Sequence, residues 1–194
     1  RGFVLRPFGP EIEAAPQRPT QLVLIRHGEV EAAYQRVFGG RIDMNLSPRG
    51  HEQAGALAKW LVRQSFNAVY ASPMKRVQQT LAPLAQMTRL GPKFLPGLRE
   101  VDFGACTGLS WDQVYERFKL SAFDWLSHLE QGAIARAEST PDFRARVDAS
   151  LRQILVESPD QEIAVVAHGG VIRMLLALFL DLPFPKMAAF DIEY

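Results

Sequence analysis

Three short runs in this chain, "QLVLI" (21–25), "NAVYA" (67–71) and "EIAVVA" (162–167), are apolar almost without interruption. A strand with one wet face alternates polar and apolar residues. A continuous apolar run of this length predicts a strand covered on both faces. Between the runs, apolar residues recur at helical spacing. Behind Ser47 the shared face is Ala54, Leu57, Ala58 and Leu61, and behind Thr140 it is Phe143, Val147, Leu151, Ile154 and Leu155. Behind Ser72 it is Met74, Val77, Leu81 and Leu84, broken by Pro83, where a helix should kink or end. Strands alternating with helices predict an α/β fold, a mostly parallel sheet between helical layers. The segment "AAFDIEY" (188–194) alternates weakly and reads as a fourth strand.

Helix starts are marked by local chemistry. Ser47-Pro48, Ser72-Pro73 and Thr140-Pro141 each set an N-cap hydroxyl before a first-turn proline. Ser110 and Gln113 have capping-box spacing, and a last helix should run from Gly169 through "VIRMLLALFL". Trp111, Trp125, Phe118 and Phe123 are expected to pack between helices. The 194 residues suit a single domain, 21–194. Prolines 7, 10, 16 and 19 oppose regular structure in residues 1–20, which read as an arm or linker.

Bulk properties exclude several classes of partner. The formal net charge of +1 gives no electrostatic footprint for nucleic acid. The longest apolar run, "MLLALFL" (174–180), is far short of the ~20 residues of a membrane helix, so no membrane is expected. A lone cysteine, Cys106, rules out an internal disulfide and fits a reducing, cytoplasmic location.

In parallel α/β sheets, ligands bind outside the carboxyl ends of the strands. "LVLIRHG" ends there in Arg26 and His27, and "AVVAHGG" ends in His168. "AVYASP" leads into a helix that carries Arg76 about one turn in. Singly, each is ordinary. A strand-end histidine is usually structural, Arg76 would be a solvated helix residue, and Glu100 in "GLREVDFG" a loop carboxylate. The coincidence carries the argument: two of only four histidines sit at the same topological level, each followed by glycine. The other two, His51 and His128, should lie at the solvent or at the core edge. No H-E-x-x-H, C-x-x-C, G-x-G-x-x-G, Walker A or G-x-S-x-G pattern occurs, so neither metal nor cofactor is expected. Two cations, two imidazoles and helix N-termini suit a dianion, and phosphate is the natural candidate.

Five segments, in order, resemble the histidine phosphatase superfamily, in its phosphoglycerate mutase-like branch. They are "RHGE" (26–29), "DMNLSPRG" (43–50), "SPMKRVQQT" (72–80), "LREVDFGACTG" (98–108) and "VVAHGGVIRMLL" (165–176). The resemblance implies a three-layer α/β/α sandwich. It implies His27 as the nucleophile that forms a phosphohistidine, and Glu100 as proton donor to the leaving alkoxide. Arg26, Arg76 and His168 would bind the phosphoryl oxygens, with Gly169 beside them. Phe38, Gly39 and Arg41 in "VFGGR", and residues 102 to 140, would face the substrate. The family fold continues past this chain's end, so "AAFDIEY" reads as a strand cut short. The sequence departs from the family at Ala33, where many members have Asn, and at Cys106 and Thr107, where Trp and Glu are frequent.

Mutases of this family carry a longer insertion between the positions of Glu100 and His168, which here are separated by 67 residues. The expected activity is therefore hydrolysis of a small phosphorylated metabolite, with "LREVDFGACTGLSW" and "HGGVIRMLLALFLDLP" closest in look to α-ribazole phosphatases. A mutase-type phosphotransferase and a catalytically silent phospho-ligand binder are the alternatives, and a homodimer stays open.

Overall fold

The computed structural model describes residues 18–193. Most of the expected N-terminal arm lies outside the described residues. Among the described residues, the central sheet has four strands, β1 (Gln21–Arg26), β2 (Ala68–Ala71), β3 (Lys93–Phe94) and β4 (Glu162–Ala167), in the order β1-β4-β2-β3. Every pairing is parallel, and β4 in the centre aligns Arg26 with Ala167 and Ala71 with Val166. The three apolar runs thus end side by side. Among the described residues, six α-helices surround the sheet: α1 (Pro48–Leu61), α2 (Lys75–Met87), α3 (Trp111–Phe118), α4 (Trp125–Glu130), α5 (Thr140–Glu157) and α6 (Gly169–Phe179).

Side-chain alternation along β4 divides the core in two. Ala164 and Val166 face Ala58 and Leu61 of α1 and Val77, Leu81 and Leu84 of α2. Ile163, Val165 and Ala167 face Phe143, Val147 and Ile154 of α5 and Val171, Met174 and Leu175 of α6. The three-layer sandwich follows from this two-sided burial. β1 departs from the expectation of full coverage: as an edge strand, it is half-buried through most of its length.

Capping geometry agrees at Ser47, whose hydroxyl accepts from Gly50 N–H, and at the Ser110–Gln113 box. It shifts by one residue at α5, where Ser139 caps and Thr140 and Pro141 fill the first turn. It fails at Ser72. α2 starts at Lys75, and the Ser72 hydroxyl is taken by other partners. Pro83 does not end α2, which continues to Met87. Trp125 packs edge-on against Phe103, and Trp111 lies between Phe123 and the Arg36 guanidinium. Phe118 and Phe123 are not buried between helices as expected: they are 42% and 80% exposed, and Phe123 keeps only its edge contact with Trp111 among ring contacts of the described residues.

The expected strand at 188–194 is absent among the described residues. A 3-10 segment, Phe184–Ala189, precedes an extended tail. The carbonyls that a strand would offer a neighbour go instead to guanidinium groups: Phe190 C=O accepts from Arg173 Nε, and Ile192 C=O from Arg26 Nη1. The fourth strand is β3, whose two residues are too short to leave a periodic signal.

Candidate active site

His27 follows β1, and its amide donates to Ala167 C=O, so the sheet ladder runs up to the residue itself. The next two residues leave the sheet and pack directly against the first turn of α1. A Cβ on Gly28 would stand 2.8 Å from Gly50 O, and a Cβ on Gly50 would stand 2.1 Å from Glu29 O. The backbones touch because neither position carries a side chain. Ser47 ties the turn down: its N–H reaches Glu29 O and its hydroxyl donates to Glu29 Oε1 at 2.7 Å. Gly28 N–H donates to Thr80 Oγ1 on α2.

This turn orients an imidazole. His27 Nδ1 lies 2.8 Å from the Gly28 carbonyl, which only accepts, so Nδ1 carries the proton and Nε2 presents a lone pair. His168, the N-cap residue of α6, has the opposite tautomer. Its Nδ1 accepts from Arg76 Nε at 3.1 Å, so its Nε2–H donates to Ser72 Oγ at 2.8 Å. Arg76 Nε–H also points to His27 Nε2 at 3.1 Å. One N–H is therefore shared by two imidazole lone pairs, with the ring centroids 5.1 Å apart. The rest of the guanidinium is held by Ile42 O (2.8 Å) and Gly40 O (2.9 Å). Arg76 sits in the first turn of α2 and is 3% exposed.

The electrostatics favour neutral rings. Burial, reinforced by Arg76 and more weakly by Arg26, holds His27 well below its ordinary pKa, against an opposing effect from the Gly28 hydrogen bond. Burial and Arg76 do the same to His168, helped by His27, Arg146 and Arg26. The site therefore sets an unprotonated Nε2 beside an obligate cation, chemistry that suits attack on an anionic electrophile.

Glu100 stands beside the start of α6. Its Oε1 accepts from Val101 N–H (3.0 Å) and its Oε2 from Gly170 N–H (3.2 Å), at the positive end of α6. A Cβ on Gly170 would come within 2.5 Å of Glu100 Oε1, so the carboxylate approaches the helix start only because a glycine is there. Arg26 and Arg173 converge on Gly169: a Cβ at that position would be 3.9 Å from Arg26 Nε and 3.3 Å from Arg173 Nη1. Arg26, His27, Arg76, Glu100, His168 and Gly169 thus all gather at the carboxyl ends of β1, β2 and β4.

The segment that carries Phe38, Gly39 and Arg41 borders the site through Gly40 O and Ile42 O, which hold Arg76, while these residues themselves have partners of their own. Phe38 is buried in the core, edge-on to Phe103 at 5.0 Å. Gly39 packs against Met44, and Arg41 pairs with Glu138 at 3.3 Å. Ala33 is exposed on a 3-10 turn, and Cys106 is buried. Ser72, Thr80 and the carbonyls of Gly40 and Ile42 were missed. Ser72 and Thr80 bound the "SPMKRVQQT" segment, which was the one available signal. The carbonyl acceptors left none.

Comparison with known proteins identifies the family. Residues 22–194 match the family model of the histidine phosphatase superfamily (branch 1). Phosphoserine phosphatase 1 of Hydrogenobacter thermophilus is 27% identical over 173 residues, 89% of this chain and 82% of that protein. The α-ribazole phosphatase structure from Shigella flexneri superposes with a TM-score of 0.77 at 27% identity, covering 89% of this chain and 85% of that one. A mycobacterial glucosyl-3-phosphoglycerate phosphatase, solved as its VO3 complex, gives 0.74 at 27% identity, covering 88% and 85%. The chain spans 48% of the length of mycobacterial relatives to which it is 34% identical over 176 residues.

Proposed function

The chain belongs to the histidine phosphatase superfamily, and from that premise we propose that it hydrolyses a small phosphomonoester through a phosphohistidine on His27, with Glu100 as proton donor. The observation that carries this reading is the tautomer of His27: Nδ1–H on the Gly28 carbonyl leaves Nε2 unprotonated in front of Arg76.

Phosphate monoesters resist hydrolysis because the attacking and leaving oxygens both develop charge next to a dianion. In the first step His27 Nε2 forms a bond to phosphorus as the P–OR bond breaks. Glu100 gives its proton to the departing oxygen, so the alcohol leaves neutral. In the second step Glu100, now a carboxylate, takes a proton from water. The hydroxide forms a P–O bond, the N–P bond breaks, and phosphate departs from a neutral His27. Arg76 and Arg26 offset charge on the equatorial oxygens, an effect that can be worth roughly 10³–10⁵ in rate for a well-placed arginine. His168 holds its proton on Nε2, toward Ser72, so its Nδ1 is an acceptor. A phosphoryl oxygen that enters takes over the Arg76 Nε–H in place of the two imidazole lone pairs.

The relatives named above act on chemically diverse alcohols, and what they share is the phosphomonoester. The test is an acid quench with ³²P-labelled substrate. Wild-type enzyme should yield an acid-labile, base-stable phosphoenzyme, His27→Ala should yield none, and turnover in that variant should be abolished with the fold retained. Label on serine or aspartate would overturn the assignment. A panel of phosphorylated metabolites run on the same preparation then ranks the alcohols.

A further inference from the structure

A proton donor works only if its carboxyl is held at the leaving oxygen, and the loop that carries Glu100 has little regular structure of its own. What holds it comes from α5. The Arg146 guanidinium donates from Nη1 to Gly97 O (2.7 Å) and Arg99 O (2.6 Å), and from Nη2 to Glu100 O (3.2 Å). Its remaining donors form a fork onto Glu138: Nε to Oε1 at 2.6 Å and Nη2 to Oε2 at 2.8 Å. All five N–H groups of a guanidinium are thereby used. Glu138 extends the grip to the far side of Glu100. Its Oε2 accepts from Asp102 N–H, and its own N–H donates to Asp102 O. The backbone on both sides of Glu100 is therefore fixed to one ion pair, whose Glu138 side chain is only 9% exposed.

We infer that Arg146, with Glu138, is a positioning residue for the proton donor: it sets where the Glu100 carboxyl stands relative to the leaving group, without touching substrate. The inference rests on the proposed role of Glu100. Lysine cannot replace Arg146 here, because a single ammonium offers three donors and no planar fork, and five acceptors are being served. A misplacement of about 1 Å at a reacting group can cost on the order of 10²-fold in rate. The loss should fall on the one step that needs the acid.

The experiment compares kcat and KM for β-glycerophosphate, an alkyl ester that needs protonation to leave, with p-nitrophenyl phosphate, which hardly does. Variants are Arg146→Lys, Glu138→Gln, Glu100→Gln and the doubles that combine Glu100→Gln with each of the first two. Arg146→Lys and Glu138→Gln should each lower kcat on the alkyl ester by roughly 10- to 100-fold and on the nitrophenyl ester by less than about 3-fold, with KM little changed. Added to Glu100→Gln, neither should cost more. Equal losses on both esters, or losses that multiply in the doubles, would make the pair a merely structural tie and overturn the inference. Selective loss in Glu100→Gln without it in the clamp variants removes the clamp alone. Equal loss in Glu100→Gln by itself removes the donor role, and the inference with it. If Arg146→Lys melts below the assay temperature, the near-isosteric Glu138→Gln decides.

Discussion

Mild acid should destabilise this protein through its two site histidines. His27 and His168 are 4% and 0% exposed, and burial together with Arg76 keeps both well below their ordinary pKa of 6.5. In the unfolded chain each titrates near 6.5. Between the folded and unfolded values, the unfolded state holds protons that the native state refuses. Stability is therefore complete above about pH 6.5, falls as the pH drops through it, and goes on falling until the folded pKa is reached. A histidine that stays neutral in the fold loses about 1.4 kcal/mol of stability between roughly pH 7.5 and 5.5, and the pair about 2.7 kcal/mol. Domains of this kind have only about 5–15 kcal/mol in total.

Urea unfolding followed by circular dichroism, in phosphate-free buffers across that range, measures the loss. His27→Asn and His168→Asn should each remove about half of the pH dependence, whatever they do to the absolute stability. Saturating vanadate should restore stability at every pH by binding only the folded site. A wild-type stability that is flat over this range, or variants with the wild-type slope, would show that the folded imidazoles take up protons readily. The neutral-nucleophile mechanism would then lose its basis.

Two further outcomes follow from the same geometry. Since Arg26 and Arg76 supply the positive charge, turnover should survive excess EDTA and fall with micromolar-range vanadate; activity lost to EDTA and restored by a divalent ion would defeat the reading. Gly50→Ala places a Cβ 2.1 Å from Glu29 O, so it should push the turn that orients His27 off α1. Its kcat should drop by more than ten-fold while a thermal melt still shows a cooperative fold; unchanged kcat would mean that the turn does not set the nucleophile.

The parts of the site that could be read from the sequence are those tied to strand ends. His27 and His168 announce themselves because each terminates an apolar run, and parallel pairing of β1 with β4 brings the two ends together. Arg76 was visible because the third run leads directly into its helix. Glu100 could be assigned only through the resemblance of its segment to a family, since nothing local separates it from any loop carboxylate. Contacts that depend on chain crossing left no trace. Gly40 O and Ile42 O reach Arg76 from 36 and 34 residues away, and Arg146 reaches Glu100 O across 46. Ser72 was misread for a physical reason. Ser-Pro before a helix is a capping signal, but here the hydroxyl is fully buried beneath His168, and the imidazole claims it first. The tail was misread likewise, because alternation does not register a competing guanidinium.

The two histidines carry their protons on different nitrogens, and that difference is the central feature of the site. Gly28 O fixes the proton of one ring at Nδ1, and Ser72 Oγ fixes that of the other at Nε2. Both lone pairs then converge on a single N–H of Arg76, whose two terminal nitrogens are already held by backbone carbonyls. The guanidinium cannot turn to follow an incoming ligand without giving up those carbonyls, so the ligand must come to it. A phosphoryl group that does so takes over an N–H shared between two imidazoles and arrives directly before the unprotonated Nε2 of His27. Protonation of either ring would place a second cation against Arg76 in a buried site. On the proposed mechanism, the arrangement that keeps His27 neutral for attack therefore also makes the fold sensitive to acid.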